Sequence, residues 1–204
     1  FYYLASGGQA WVFVSEDQKF VLKFFKAHLR KRKAKFERDF KSCKLAFDEL
    51  KNETGLVYLH LNKSADLHLM AKVVDKLHIE HQIDLDKTEF LVQKKATLLY
   101  DHIQKLMNEG KAQEAKQALS AVCRLILKRC EKGIFDEDPR IQCNLGFIGN
   151  EAILIDTGRL KWDLKRKNPE VYRQDLKKIT YKLKSWLSDH YPELIATLEN
   201  ESDL

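Results

Sequence analysis

Between Gly133 and Gly158 the chain reads GIFDEDPRIQCNLGFIGNEAILIDTG. Asp136, Glu137 and Asp138 are consecutive acids, Asn144 follows, and the apolar run AILI ends at Asp156. Acid in a loop is common. A carboxylate closing an apolar run is less so, because a charge beside buried groups needs a partner. The chain carries 36 Lys and Arg against 30 Asp and Glu, a net charge of +6, so acid collected at one place runs against the whole. Two other stretches have chemical potential. Gly7 and Gly8, in SGGQAWVF, allow a tight turn and the close approach of backbone N–H groups to an anion. Lys23 follows Phe20-Val21-Leu22 and precedes Phe24-Phe25. A half-buried strand lysine there wants a carboxylate or a phosphate. Each feature also has an ordinary reading: a hairpin turn, a snorkelling lysine, and a solvated turn with a capping Asp.

These residues need elements to hold them. YYLA, AWVFVS and KFVLKFF, rich in aromatic and β-branched residues, predict three strands, with turns at SGGQ and EDQK. The spacing of Leu29, Phe36, Phe40, Leu45, Phe47 and Leu50 predicts one long helix over 27–52, stopped at Thr54-Gly55. GLVYLHLN, AKVVDKLHIEHQIDL and EFLVQKKA read as further strands. Beyond Ala96 the pattern turns helical: LLYDHIQKLMNEG, then a helix from Ala112 closed by Gly133. A small hairpin follows, with strands Leu145–Ile148 and Ala152–Ile155 about a GNE turn. Helices run from Pro169 to His190 and from Pro192 onward. The expectation is an α+β chain in two parts, 1–95 strand-rich and 96–204 helical, joined near Gln93–Ala96; ligand sites tend to lie between such lobes.

Composition excludes several classes. A 204-residue chain with 44% hydrophobic residues, 8 Gly and 3 Pro can build a core and is not low-complexity. No apolar run reaches the roughly 18 residues of a membrane span. The chain begins at Phe1 and not at Met, which implies trimming or processing. Cys43, Cys123, Cys130 and Cys143 form no Cys-x-x-Cys pair, so free buried thiols are expected. That suits a reducing, cytoplasm-like compartment, with a secreted effector as the other case. The basic run Lys26–Lys44 could meet nucleic acid, acidic lipid or phosphate, but reads better as the solvated face of a helix. Its Phe36 and Phe40 belong to the apolar positions of a helix and do not form the stacking platform of an RNA-binding sheet, so nucleic acid is not the expected partner.

In chain order these parts are a Gly-rich hairpin, a strand lysine, a helix with acids, more strands, a long helix, an Asp/Asn loop, a hairpin and an Asp-x-Gly. That order resembles the protein-kinase-like superfamily, in a minimal, atypical, bacterial-type form, over all but the last two helices. If Val12 is the valine that closes the family's glycine loop, Gly7 matches its second glycine. Ala5 and Ala10 then replace the other two, and Gly8 is a partial substitute. Lys23 matches the phosphate-contacting lysine, with Glu37 or Asp39 as its acid. In the family an Asp precedes the catalytic-loop Asn by five; here Asp138 precedes Asn144 by six, which requires one inserted residue. Arg140 stands where the family has a phosphate-neutralising lysine. Asp136-Glu137 replace the usual His-Arg, with Asp136 at a position that holds the loop. Pro139 is expected to stiffen it. Asp156, in Asp-Thr-Gly, matches the Asp of Asp-Phe-Gly.

The resemblance implies ATP and Mg²⁺ as cofactors. Asn144 and Asp156 would hold the metal, which prefers oxygen ligands, and Asp138, Arg140 and Lys23 would serve transfer of the γ-phosphate to a hydroxyl. A metal carrying ATP would explain acid gathered in a basic chain. About 48 residues follow Asp156 and none spells Ala-Pro-Glu, so activation-loop control is not expected. The acceptor is expected to be a protein. A small-molecule kinase lacks its larger helical lobe here. A pseudokinase scaffold would explain the damaged glycine loop, but not the retention of Lys23, Asp138, Asn144 and Asp156 together.

Overall fold

The computed structural model describes residues 1–26, 33–138 and 140–203. The chain divides into two compact units, Phe1–Lys95 and Ala96–Leu204.

The first unit is a seven-stranded sheet with one long helix. Its strands are β1 (Tyr2–Ser6), β2 (Ala10–Val14), β3 (Phe20–Phe25), β4 (Leu56–His60), β5 (Met70–Val74), β6 (Glu80–Asp84) and β7 (Phe90–Lys94). They lie in the order β4-β7-β3-β2-β1-β5-β6. Adjacent strands are antiparallel except β1 and β5, which meet in parallel through Tyr2 and Val74. Burial on both faces explains the apolar run in β3. Leu22 and Phe24 join Phe13, Ala71, Val73 and Phe90 in one core. Alternation turns Val21, Lys23 and Phe25 to the other face. There the Phe25 ring lies 5.0 Å from that of Phe40 on α1 (Lys33–Glu49), so this is the face that α1 covers.

Two expectations change in this unit. AKVVDKLHIEHQIDL is not one strand but the hairpin β5–β6. The Asp75 carboxylate accepts from the N–H groups of Leu77 and Ile79, and His78 turns into the left-handed region at φ 62°. A side-chain acceptor thus does the work of a turn where no Gly or Pro marks one. The long helix also breaks at the fully buried Leu50 and restarts as the single turn α2 (Lys51–Thr54), which Gly55 ends at φ 63°. The part expected over 27–32 lies outside the described residues.

The second unit is mainly helical. Its elements are β8 (Thr97–Leu98), α3 (Leu99–Asn108), α4 (Ala112–Glu131), β9 (Ile134–Asp136), α5 (Ile141–Asn144), β10 (Leu145–Ile148), β11 (Glu151–Leu154), β12 (Leu160–Trp162), α6 (Pro169–His190) and α7 (Ile195–Asp203). α4 runs through its core: Leu119, Val122, Cys123 and Ile126 are buried, as are Leu183 and Leu187 of α6 and Leu198 of α7. Gly133 ends α4 at φ 76° and donates its N–H to the Cys130 carbonyl. The chain then enters β9, which pairs with β12, while β10 lies between β11 and β8.

The α+β class read from the sequence is therefore the one observed: a sheet antiparallel but for the β1–β5 pair, with one long helix, then a mainly helical part. Of the four cysteines, all free, Cys43, Cys123 and Cys130 are buried and Cys143 is exposed. Among the described residues no helix is long and apolar enough to cross a membrane.

Candidate functional site

One hairpin of the second unit sets Asp156 beside Asn144 in register. β10 and β11 pair from Leu145↔Leu154 to Ile148↔Glu151, so the turn is Gly149-Asn150, one residue shorter than the expected GNE. At the open end the register extends one step: Ile155 N–H donates to the Asn144 carbonyl at 2.7 Å. The spacing of twelve residues between Asn144 and Asp156 is what this register needs to put Asp156 one residue past the position facing Asn144. The hairpin tolerates only glycine at 146. A Cβ there would stand 2.4 Å from the Thr97 carbonyl oxygen and 2.6 Å from Ile155 Cδ1.

Asn144 is buried, at the end of the one-turn helix α5 that the sequence did not reveal. Its Nδ2 donates to the Asp138 carbonyl at 3.3 Å, and its Oδ1 takes a contact from Cys143 Sγ. Asp156 is half-buried, and its Oδ1 accepts from Gly158 N–H at 3.0 Å. The capping role foreseen for that Asp is therefore present, and it engages one of its two oxygens.

Asp138 is tightly held. Arg140 Nε reaches both of its oxygens, at 2.8 and 3.1 Å, and Nη2 reaches Oδ2 at 2.6 Å. This fork-to-fork pair, aided by the Arg140 backbone N–H, pulls the Asp138 carboxyl down to about 2. Pro139, between them, lies outside the described residues. Asp136 has the opposite environment. It is 7% exposed, and burial pushes its carboxyl up to about 6 against the pull of Arg129, with Asp156 and Asp138 adding to the rise. Its Oδ1 accepts the Asp138 N–H at 2.9 Å, so it fixes the main chain of the loop.

Arg129 is the residue that sequence reasoning missed. It stands on α4 seven residues after Val122 and three after Ile126, inside the apolar stripe of that helix. An Arg at a stripe position was the available signal. It is 2% exposed, and Nη1 lies 3.4 Å from Asp136 Oδ2.

In the first unit Lys23 sits in β3 directly opposite Val12 of β2 and Leu91 of β7. Opposed residues share a face, so Val12 and Lys23 lie on the side covered by α1. Of the two candidate acids on that helix, Asp39 is 1% exposed and Glu37 is exposed. The β1–β2 loop closes with Gly7 N–H on the Ala10 carbonyl. Lys26, which the sequence gave no reason to single out, pins this loop: its Nζ donates to the Gly7 carbonyl at 2.6 Å and to Ser6 Oγ at 2.8 Å. A Cβ on Gly7 or Gly8 would touch nothing, and neither has a positive φ. The hairpin itself does not demand glycine there.

The oxygen donors Asn144 Oδ1 and Asp156 suit a hard cation that takes few protein ligands and completes its shell with phosphate and water, as Mg²⁺ does. Among the described residues no cluster of three or more His, Cys, Asp or Glu side chains forms a cage of its own.

No family model matches the chain, and no curated protein is significantly similar to it in sequence. Solved structures are similar to it in backbone. The bifunctional kinase-methyltransferase WbdD shares 16% identity at a TM-score of 0.48, over 96% of this chain and 43% of that one. A 2.2 Å crystal structure of WbdD gives 16% and 0.49, over 97% and 44%. A co-crystal of WbdD with the kinase inhibitor LY294002 gives 16% and 0.47, over 99% and 46%. The chain spans less than half the length of these neighbours.

Proposed function

We propose that the chain is an ATP-dependent phosphotransferase of atypical protein-kinase type, transferring the γ-phosphate to a hydroxyl on a protein. The observation that carries this reading is the β10–β11 register. It sets Asn144 beside Ile155, and hence Asp156 one residue on, while Asn144 also binds the Asp138 carbonyl. A cap for a surface turn would need only Asp156. Three polar groups converging from a loop and a hairpin are what metal and acceptor placement need.

In this reading Asn144 Oδ1 and Asp156 hold Mg²⁺, which supplies neutralisation of charge on the phosphates. Lys23 contacts the phosphates and is oriented by Asp39, the buried one of the two acids. Gly7 and Gly8 leave backbone bare for close approach, which accounts for glycines that the hairpin does not itself require. Asp138 accepts a hydrogen bond from the acceptor hydroxyl and aims its oxygen. A carboxylate held near 2 is a weak base, but a loose phosphoryl-transfer transition state asks for orientation before proton removal. Arg140 adds positive charge beside it.

Incubation with Mg²⁺ and γ-labelled ATP tests the proposal, with autophosphorylation and transfer to a generic protein acceptor as readouts. Label transfer that Asp156→Asn abolishes is the expected result. A second reading, a nucleotide-binding scaffold, is favoured by one observation: both oxygens of Asp138 are occupied by Arg140. Nucleotide binding without transfer in the parent chain would select it.

A further inference from the structure

Arg129 is a costly residue where it stands. Its side chain is almost fully buried, one nitrogen reaches Asp136, and Nε and Nη2 have no hydrogen-bond partner among the described residues. A guanidinium taken out of water and left incompletely bonded weakens a fold; apolar replacements of buried ion pairs are often neutral or stabilising. Packing therefore gives no reason for an Arg on the apolar stripe of α4. Its surroundings do. A small cavity, with room for about one water molecule, is lined by Arg129, Asp136, Asp138 and Asn144 on its polar side and by Ile126 and Leu154 among its apolar walls. The polar wall is the loop proposed to hold acceptor and metal. The contacts form a chain of support: α4 carries Arg129, Arg129 bonds Asp136 Oδ2, Asp136 Oδ1 bonds the Asp138 N–H, and the Asp138 carbonyl takes Asn144 Nδ2.

We infer that Arg129 is a positioning residue: a buried guanidinium that anchors the Asp136–Asn144 loop to the core helix and so fixes where Asp138 and Asn144 point. It touches no substrate in this account and acts through Asp136. The inference rests on the proposed phosphotransfer for its kinetic consequence, but not for its structural one. A rigid helix supporting a loop by a charged second contact is how a site is held to the fraction of an ångström that transfer needs.

Hydrogen exchange on the full chain tests it, read amide by amide, in the parent, Arg129→Met and Arg129→Lys. Loss of the anchor should speed exchange of the Asp138 amide roughly tenfold, the size of one hydrogen bond. The amides of α4 from Val122 to Ile126 should keep their protection. Arg129→Lys, which keeps the charge without the fork, should fall between. In Arg129→Ala, added guanidinium at low, non-denaturing concentration should restore part of the Asp138 protection. If transfer is observed in the parent, kcat should fall in Arg129→Met with KM for ATP little changed. Unchanged exchange at Asp138 in a folded Arg129→Met overturns the inference. So does equal loss of protection along α4 and the loop, which would mark a packing role only; if Met does not fold, the same two outcomes are read from Arg129→Lys. Absence of transfer in the parent would refute the proposed function and leave the exchange result to decide the anchor alone.

Discussion

Asp136 and Asp138 are two residues apart and chemically opposite. One is a buried acid held up near 6, the other a paired carboxylate held down near 2. Environment assigns their roles: Asp138 presents charge, and Asp136 bonds the main chain that presents it. Asp138→Ala should leave ATP affinity nearly intact and lower kcat by about 10²–10⁴. Steady-state kinetics beside Asp136→Ala checks this: if Asp136→Ala alone abolishes transfer, the inserted residue lies elsewhere in the loop. Asp136 also predicts a pH signature. Unfolded, it titrates near 3.8; folded, near 6. Between those values the folded chain binds the proton more tightly, so this group's contribution to stability declines as pH rises through the window. Asp136→Asn removes the titration. Its stability relative to the parent should therefore rise by about 3 kcal/mol between pH 3.5 and 7, measured by denaturant unfolding at several pH values. A flat difference across that range would contradict the buried-acid assignment.

At the scale of elements, the β10–β11 hairpin aligns Asn144 and Asp156 in the second unit, and β3 holds Lys23 in the first. Gly146 lets β10 lie between β11 and β8 with no Cβ in the way, and the obstructing atom on one side is a backbone carbonyl. Gly146→Ala should cost about 1–3 kcal/mol, at the upper end because backbone cannot yield as a side-chain tip can. It should also loosen Asn144 and Asp156, which the same hairpin aligns. Thermal unfolding checks the first effect. A larger Mg²⁺–ATP concentration for half-maximal binding checks the second. Lys23 belongs to β3, where Val21 and Phe24 are buried and Lys23 itself is half-buried. Lys23→Met keeps the stem's packing and removes the charge. It should preserve the unfolding transition and abolish or sharply weaken transfer; unchanged transfer would remove Lys23 from the phosphate-binding role.

For the whole molecule, net charge and local charge point in opposite directions. On the proposed reading, a chain of +6 that holds Asp136, Asp138 and Asp156 in one loop-and-hairpin region would take a cation there and a polyanion elsewhere. A ligand that needs both, such as Mg²⁺–ATP, should stabilise the folded chain. At 100 times its Kd the gain is about 2.7 kcal/mol, a rise of about 5–10 °C in Tm for a chain of this size. The rise should require Mg²⁺ in the parent and lose that requirement in Asp156→Asn, followed by differential scanning fluorimetry. A metal dependence that survives the substitution would leave Asp156 with its Gly158 cap as its whole role.

Local patterning settled much of this in advance. β-branched and aromatic runs, a 3.6-residue period and Gly133 decided the α+β class and most element boundaries, because propensity and capping act within a few residues. The interval from Asn144 to Asp156 was legible but its register was not: a GNE turn would set Asp156 opposite Asn144, and the shorter Gly149-Asn150 turn sets it one residue past. Where a side chain replaces turn chemistry, the sequence was silent: the Asp75 carboxylate, not Gly or Pro, folds β5 onto β6. Only tertiary packing decided the rest. Burial separated Asp39 from Glu37, which spacing alone could not do. Burial against α4 raised Asp136, while a surface Arg lowered Asp138, two residues away. Arg129 acquired its place only when helix and loop met, because the cost and use of a buried charge depend on neighbours that the linear order does not contain.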